Sequence, residues 1–125
     1  MKYFLSLGSN IDAERNLDFA QQELKKILKD IKFSSIYKTK AEGFKGEDFL
    51  NSVVSGKYND SFDELNSRLK SIEDAAKRDR NAPKFSSRTL DIDIVLQIDE
   101  NDDILFESDE IQKYSFVSIP LKELI

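Results

Sequence analysis

Two hydrophobic rhythms alternate along the chain. Residues 2–7, KYFLSL, are rich in strand-forming side chains and stop at Gly8, which predicts a strand. Ser9, Asn10 or Asp12 then stands where a helix N-cap is wanted. Leu17, Ala20, Leu24, Ile27, Leu28 and Ile31 recur at helical spacing, so one apolar stripe predicts a helix over roughly residues 12–30. The segments IKFSSIYKT (31–39) and DFLNSVVSGKY (48–58) read as two further strands, separated by the glycine-containing loop KAEGFKGE. Ser61 and Glu64 form an S-x-x-E capping pattern, and Phe62, Leu65, Leu69, Ile72 and Ala76 supply the stripe of a second helix. Leu90 to Gln97 alternate as a strand, DENDD is a turn, and ILF (104–106) is a hairpin return.

The order strand, helix, strand, strand, helix, strand implies an α+β fold, a ferredoxin-like antiparallel sheet with packed helices and an added hairpin. A length of 125 residues suits one domain, 1–125. The chain is 39% hydrophobic and 34% charged, with four glycines and two prolines, so it has the means to build a core and no low-complexity linker. Absence of cysteine excludes disulfides and thiolate chemistry. Absence of histidine removes the usual neutral-pH base and the commonest transition-metal ligand, leaving carboxylates, hydroxyls, Lys and Arg. Oxygen-ligated Mg²⁺ fits that inventory.

A net charge of −5 argues against a nucleic-acid binder. Yet KRDRNAPKFSSR, residues 77–88, gathers Lys77, Arg78, Arg80, Lys84 and Arg88 against Asp79 alone, a locally positive segment in an acidic protein. The N-terminal apolar run is too short for a signal peptide and nothing reaches the length of a membrane span. The expectation is a cytoplasmic monomer without membrane contact.

The strand at 90–97 carries the most informative pattern. Leu90, Ile92, Ile94 and Leu96 form its core row, while Asp91, Asp93 and Val95 point the other way. Two same-face carboxylates roughly 6–7 Å apart disfavour each other unless water or a cation screens them. Solvation on an outer sheet face accounts for an isolated D-x-D. Beside Arg88 and the basic segment, the pair also suits Mg²⁺ and a polyphosphate. No Walker A sequence is present.

These pieces, LGSN at 7–10, SSIYKT at 34–39, FLN at 49–51, RDR at 78–80, RTLDIDIVL at 88–96 and FVSIPL at 116–121, occur in an order that resembles the 6-hydroxymethyl-7,8-dihydropterin pyrophosphokinase family of folate biosynthesis. The resemblance spans nearly the whole chain, and R-T-L-D-[IL]-D is its most specific part. It implies a three-layer α/β/α arrangement and transfer of pyrophosphate from ATP to the pterin hydroxymethyl group, releasing AMP. A non-catalytic pterin- or nucleotide-binding module of the same fold is the alternative.

By the same resemblance, Asp91 and Asp93 hold two Mg²⁺ ions and Arg78 and Arg88 engage the phosphates. Thr39, Glu42, Gly43, Phe49, Asn51 and Phe116 surround the pterin, with Phe49 and Phe116 stacking on the ring and the Asn51 amide reading its edge. Glu73, Arg80, Lys84 and the main chain of Ile94 join Arg78 and Arg88 around the nucleotide. The chain departs from the family at Phe85 and Ser86, where tryptophan and a small residue are usual. It departs again at Ser108 and Tyr114, where histidine and arginine are common, so charge-assisted contacts to the triphosphate are missing there.

Overall fold

A computed structural model describes residues 1–40, 46–77 and 87–125. Among these residues are six strands, β1 (Lys2–Ser9), β2 (Lys29–Phe33), β3 (Tyr37–Thr39), β4 (Phe49–Lys57), β5 (Asp91–Ile98) and β6 (Ile104–Glu107). The helices are α1 (Ala13–Ile27), α2 (Phe62–Ala75), α3 (Glu110–Lys113) and α4 (Ser115–Lys122). The sheet order is β2-β4-β1-β5-β6, with β3 also pairing β4, and every pairing is antiparallel. The α+β expectation holds, with the hairpin added at the β5 edge.

Each face of the sheet buries its own apolar layer. Tyr3, Leu5 and Leu7 of β1, Val54 of β4, and Ile92 and Ile94 of β5 pack against Leu17, Ala20 and Leu24 of α1 and Leu65, Leu69 and Ile72 of α2. On the opposite face Phe4, Val53, Val95 and Leu96 pack against Val117 and Leu121 of α4. Helices therefore cover both sides, giving three layers.

Several element limits differ from the pattern reading, each for a local reason. The first helix ends at Ile27, because Leu28 turns extended (φ −106°, ψ 145°) and the following residues pair with β4. Ile31 thus contributes to the core from a strand. The stretch 31–39 is divided, since Ser34 leaves the ladder, donates its N–H to the Val53 carbonyl at 2.9 Å and accepts the Val53 N–H on its hydroxyl at 2.8 Å. Leu96 is the clearest correction. The β1–β5 register shifts between Phe4 and Leu5, and this bulge turns Leu96 toward Phe4 and α4 together with Val95. The predicted caps also divide. Ser61 accepts the Glu64 N–H at 3.1 Å. Asp12 takes the N-cap place of α1 with φ 45° and no side-chain cap bond.

Candidate active site

Strand period and register place the polar residues. On β4, Asn51 shares a face with Val53; on β5, Asp91 and Asp93 share a face with Val95. Val53 and Val95 both pack toward α4, so Asn51, Asp91 and Asp93 lie on the α4 side of the sheet. The register then aligns two rows across three strands. Asn51, Gly8 and Asp91 form one, and Val53, Ser6 and Asp93 form the other. The apolar layer under α4 thus gives way to a polar strip.

Gly8 occupies the centre of the first row because nothing larger fits comfortably. A Cβ there would stand 3.1 Å from Asn51 Oδ1 and 3.9 Å from the Phe49 ring. Its bareness lets the Asn51 amide lie across β1. Asn51 is buried, and its Nδ2 donates to Thr39 Oγ1 at 2.7 Å, which sets the amide's orientation and leaves Oδ1 toward Gly8. Thr39 and Phe49 are directly paired across β3 and β4, so the structure brings Thr39, Phe49 and Asn51 together.

Ser9 and Asn10 do something other than cap α1. The Ser9 hydroxyl donates to the Thr89 carbonyl. Asn10 Oδ1 accepts the Arg88 N–H at 2.7 Å while the Asn10 N–H donates to the Arg88 carbonyl at 3.0 Å. Asn10 Nδ2 also reaches the Glu47 carbonyl at 3.0 Å and Ser87 Oγ at 3.3 Å. One side chain therefore ties the segment before β4 to the segment before β5, and fixes the backbone of Arg88.

Glu73 is almost fully buried, at 3% exposure, and its Oε2 accepts the Ile92 N–H at 2.8 Å. The reason is an uncovered strand edge. β6 pairs with β5 only from Leu96 to Ile98, so the outer edge nearer the aspartates needs other partners. Glu73 satisfies Ile92, and the Ser108 N–H satisfies the Val95 carbonyl at 2.8 Å. The carboxylate expected beside the nucleotide thus also holds the backbone between Asp91 and Asp93. The Ile94 side chain faces the α1–α2 core, leaving its main chain as the part free of that layer.

Phe116 lies in the first turn of α4, partly buried against the Val53–Val95 layer. It is therefore on the same side of the sheet as Asn51 and the two aspartates. Expected site residues Glu42, Gly43, Arg78, Arg80 and Lys84 lie outside the described residues.

Two residues not anticipated from the sequence adjoin the acidic pair. Ser6, partly exposed within an otherwise buried stretch of β1, is paired with Asp93. The Phe4, Ser6, Gly8 alternation was the available signal. Glu110 is held in a local turn by its N–H to Ser108 Oγ at 3.2 Å; burial, followed by the negative charge of Asp91, raises its carboxyl above the ordinary value. That coupling depends on tertiary proximity and has no local sequence signature.

The fit to Mg²⁺ follows from this arrangement. Asp91 and Asp93 are partly exposed, and their row neighbours Gly8 and Ser6 are small. No group of three or more His, Cys, Asp or Glu side chains among the described residues forms a metal cage. The pair suits a hard cation that completes its shell with water and ligand oxygens.

The family model described as 7,8-dihydro-6-hydroxymethylpterin-pyrophosphokinase (HPPK) matches residues 4–125. The chain belongs to this family. Among the relatives of this chain, a folate synthesis bifunctional protein from Chlamydia caviae is 40% identical over 107 residues, covering 78% of this chain and 24% of that protein. A 2-amino-4-hydroxy-6-hydroxymethyldihydropteridine pyrophosphokinase from Aquifex aeolicus is 35% identical over 99 residues, covering 78% of this chain and 61% of that protein. The chain thus spans about a quarter and about three-fifths of the length of these two relatives.

Proposed function

We propose that residues 1–125 act as one pyrophosphokinase domain, transferring pyrophosphate from ATP to the hydroxymethyl group of 6-hydroxymethyl-7,8-dihydropterin and releasing AMP. The observation that carries this reading is the shared sheet face of Asn51, Asp91 and Asp93. A heterocycle-reading amide and a cation-binding pair thereby stand on one surface, on the two strands that flank β1.

Asn51 has its Nδ2 directed to Thr39, which presents a fixed amide edge to the pterin. Phe49 and Phe116 stack on the flat ring and exclude water. Asn10 holds the Arg88 backbone, and Arg88 with Arg78 binds phosphate oxygens. Arg80, Lys84, Glu73 and the Ile94 main chain complete the nucleotide side, and Glu42 and Gly43 the pterin side. Asp91 and Asp93 would hold two Mg²⁺ ions, which would supply charge neutralisation for the triphosphate. The hydroxymethyl oxygen forms the new bond to the β-phosphorus as the bond from that phosphorus to the AMP oxygen breaks, and the hydroxyl proton is released. Positioning and charge stabilisation supply most of the rate. The site works on small molecules in the cytoplasm as a monomer, without nucleic acid or membrane; no described helix is long and apolar enough to cross a bilayer.

The test is AMP formation from ATP and the reduced hydroxymethylpterin with Mg²⁺. Stoichiometric AMP and pterin pyrophosphate are expected, and Asp93→Ala should abolish turnover while remaining folded. Folded protein that binds both substrates yet forms no AMP would replace this reading with a non-catalytic binding module.

A further inference from the structure

The Tyr114 and Phe116 rings stack with centroids 4.8 Å apart and planes inclined by 21°. Other ring pairs meet steeply: Tyr3 with Tyr58 at 77°, Phe62 with Phe106 at 70°, and Tyr3 with Phe62 at 53°. The first two meet edge to face and the third is tilted; edge-to-face and offset-stacked packing are both favoured for aromatic pairs. The near-parallel pair sits instead on the sheet face that carries Asn51 and the aspartates.

Residues two apart do not face each other on a helix, so this contact needs a local cause. Tyr114 stands just outside α4 in an extended conformation, φ −126° and ψ 120°. Its N–H donates to the Glu110 carbonyl at 2.9 Å, and its own carbonyl accepts the Val117 and Ser118 N–H groups at 3.1 Å each. The corner between α3 and α4 is thereby held from both sides. Its extended backbone brings the Tyr114 ring over Phe116, and both rings pack against the Val53–Val95 layer.

We propose that Tyr114 is a positioning residue for the pterin: it covers one face of Phe116, fixes the plane of that ring and leaves the opposite face to stack on the heterocycle. This rests on the reading of Phe116 as a pterin-facing ring. The resulting platform is two rings deep. Through Phe116, Tyr114 strengthens binding on the pterin side. The aromatic ring does this work, so phenylalanine can substitute for it.

Equilibrium binding of 6-hydroxymethylpterin, followed by its fluorescence, and of a nonhydrolysable ATP analogue with Mg²⁺ tests the proposal on the full chain. Tyr114→Leu keeps apolar bulk but removes the ring, and should weaken pterin binding roughly 2–13-fold, the range expected for one stacked pair. Nucleotide affinity should stay within about twofold by the same accounting, and Tyr114→Phe should bind pterin like the wild type. The loss should disappear when Tyr114→Leu is made in a Phe116→Leu background, which separates platform support from a general packing defect. Unchanged pterin affinity in Tyr114→Leu, with weakened affinity in Phe116→Leu, would overturn the support role alone. Unchanged affinity in Phe116→Leu would remove the reading beneath it and the proposal with it.

Discussion

Replacing Gly8 by alanine should weaken substrate binding while leaving stability nearly unchanged. The new Cβ would stand 3.1 Å from Asn51 Oδ1, so the amide oxygen must retreat by a few tenths of an ångström. Asn51 cannot simply slide, because its Nδ2 is held by Thr39 Oγ1 at 2.7 Å. Rotation of the amide misdirects the group proposed to read the pterin edge, at a cost of about 0.5–1.5 kcal/mol for one compromised hydrogen bond. That corresponds to a roughly 2–13-fold weaker pterin Kd. Gly8 is outside the left-handed backbone region, so alanine carries no conformational strain. Its smaller unfolded-state entropy favours folding by about 0.4–1 kcal/mol, offsetting the steric contact. Pterin titration and thermal melting on the same Gly8→Ala preparation should show weakened binding with a nearly unchanged Tm. Wild-type pterin affinity would refute the close-approach reasoning, and a large drop in Tm would show that the strand itself had been displaced.

Glu73→Ala should lower stability by about 1–3 kcal/mol by orphaning the Ile92 N–H, a fall of roughly 4–12 °C in Tm; Glu73→Gln, which keeps an acceptor, should recover most of it in a melting experiment. Asn10→Ala should release the Arg88 amide to faster hydrogen exchange and cut turnover on the order of 10–100-fold by loosening the phosphate side; an unchanged exchange rate at Arg88 would contradict the assigned role. Hydrogen bonds from Tyr37, then from the Ser35 backbone, hold the Glu123 carboxyl below its ordinary range. Their stabilisation is therefore present above the unfolded carboxyl pKa of about 4.3 and is lost as pH falls through the lowered folded value. The Tm gap between wild type and Glu123→Gln should narrow from pH 7 to pH 3, and a constant gap would rule out this linkage.

Periodicity was readable where one residue's direction follows from its neighbour's. The stripes of α1 and α2, the Ser61 cap, the DENDD turn and the outward pair Asp91 and Asp93 are such cases. Where direction depends on a partner, pattern was insufficient. Leu96 reads as the continuation of the Ile92–Ile94 row until β1 imposes a bulge. Ser9 and Asn10 have good capping side chains, yet the segment before β5 offers them stronger backbone partners. α3 and α4 span only four and eight residues, too few to display a repeating stripe.

By itself, then, the order of residues determined the alternation of strands and helices, the core-facing rows and the chemical inventory of oxygen and guanidinium groups, because each is a property of a segment a few residues long. Only the tertiary structure decided that Asn51, Gly8 and Asp91 share a row, that Glu73 secures the strand bearing both aspartates, and that Tyr114 lies over Phe116. Those relations arise from strand register, an unfilled sheet edge and a corner between helices, where distant backbone groups must find partners before any side chain can be aimed.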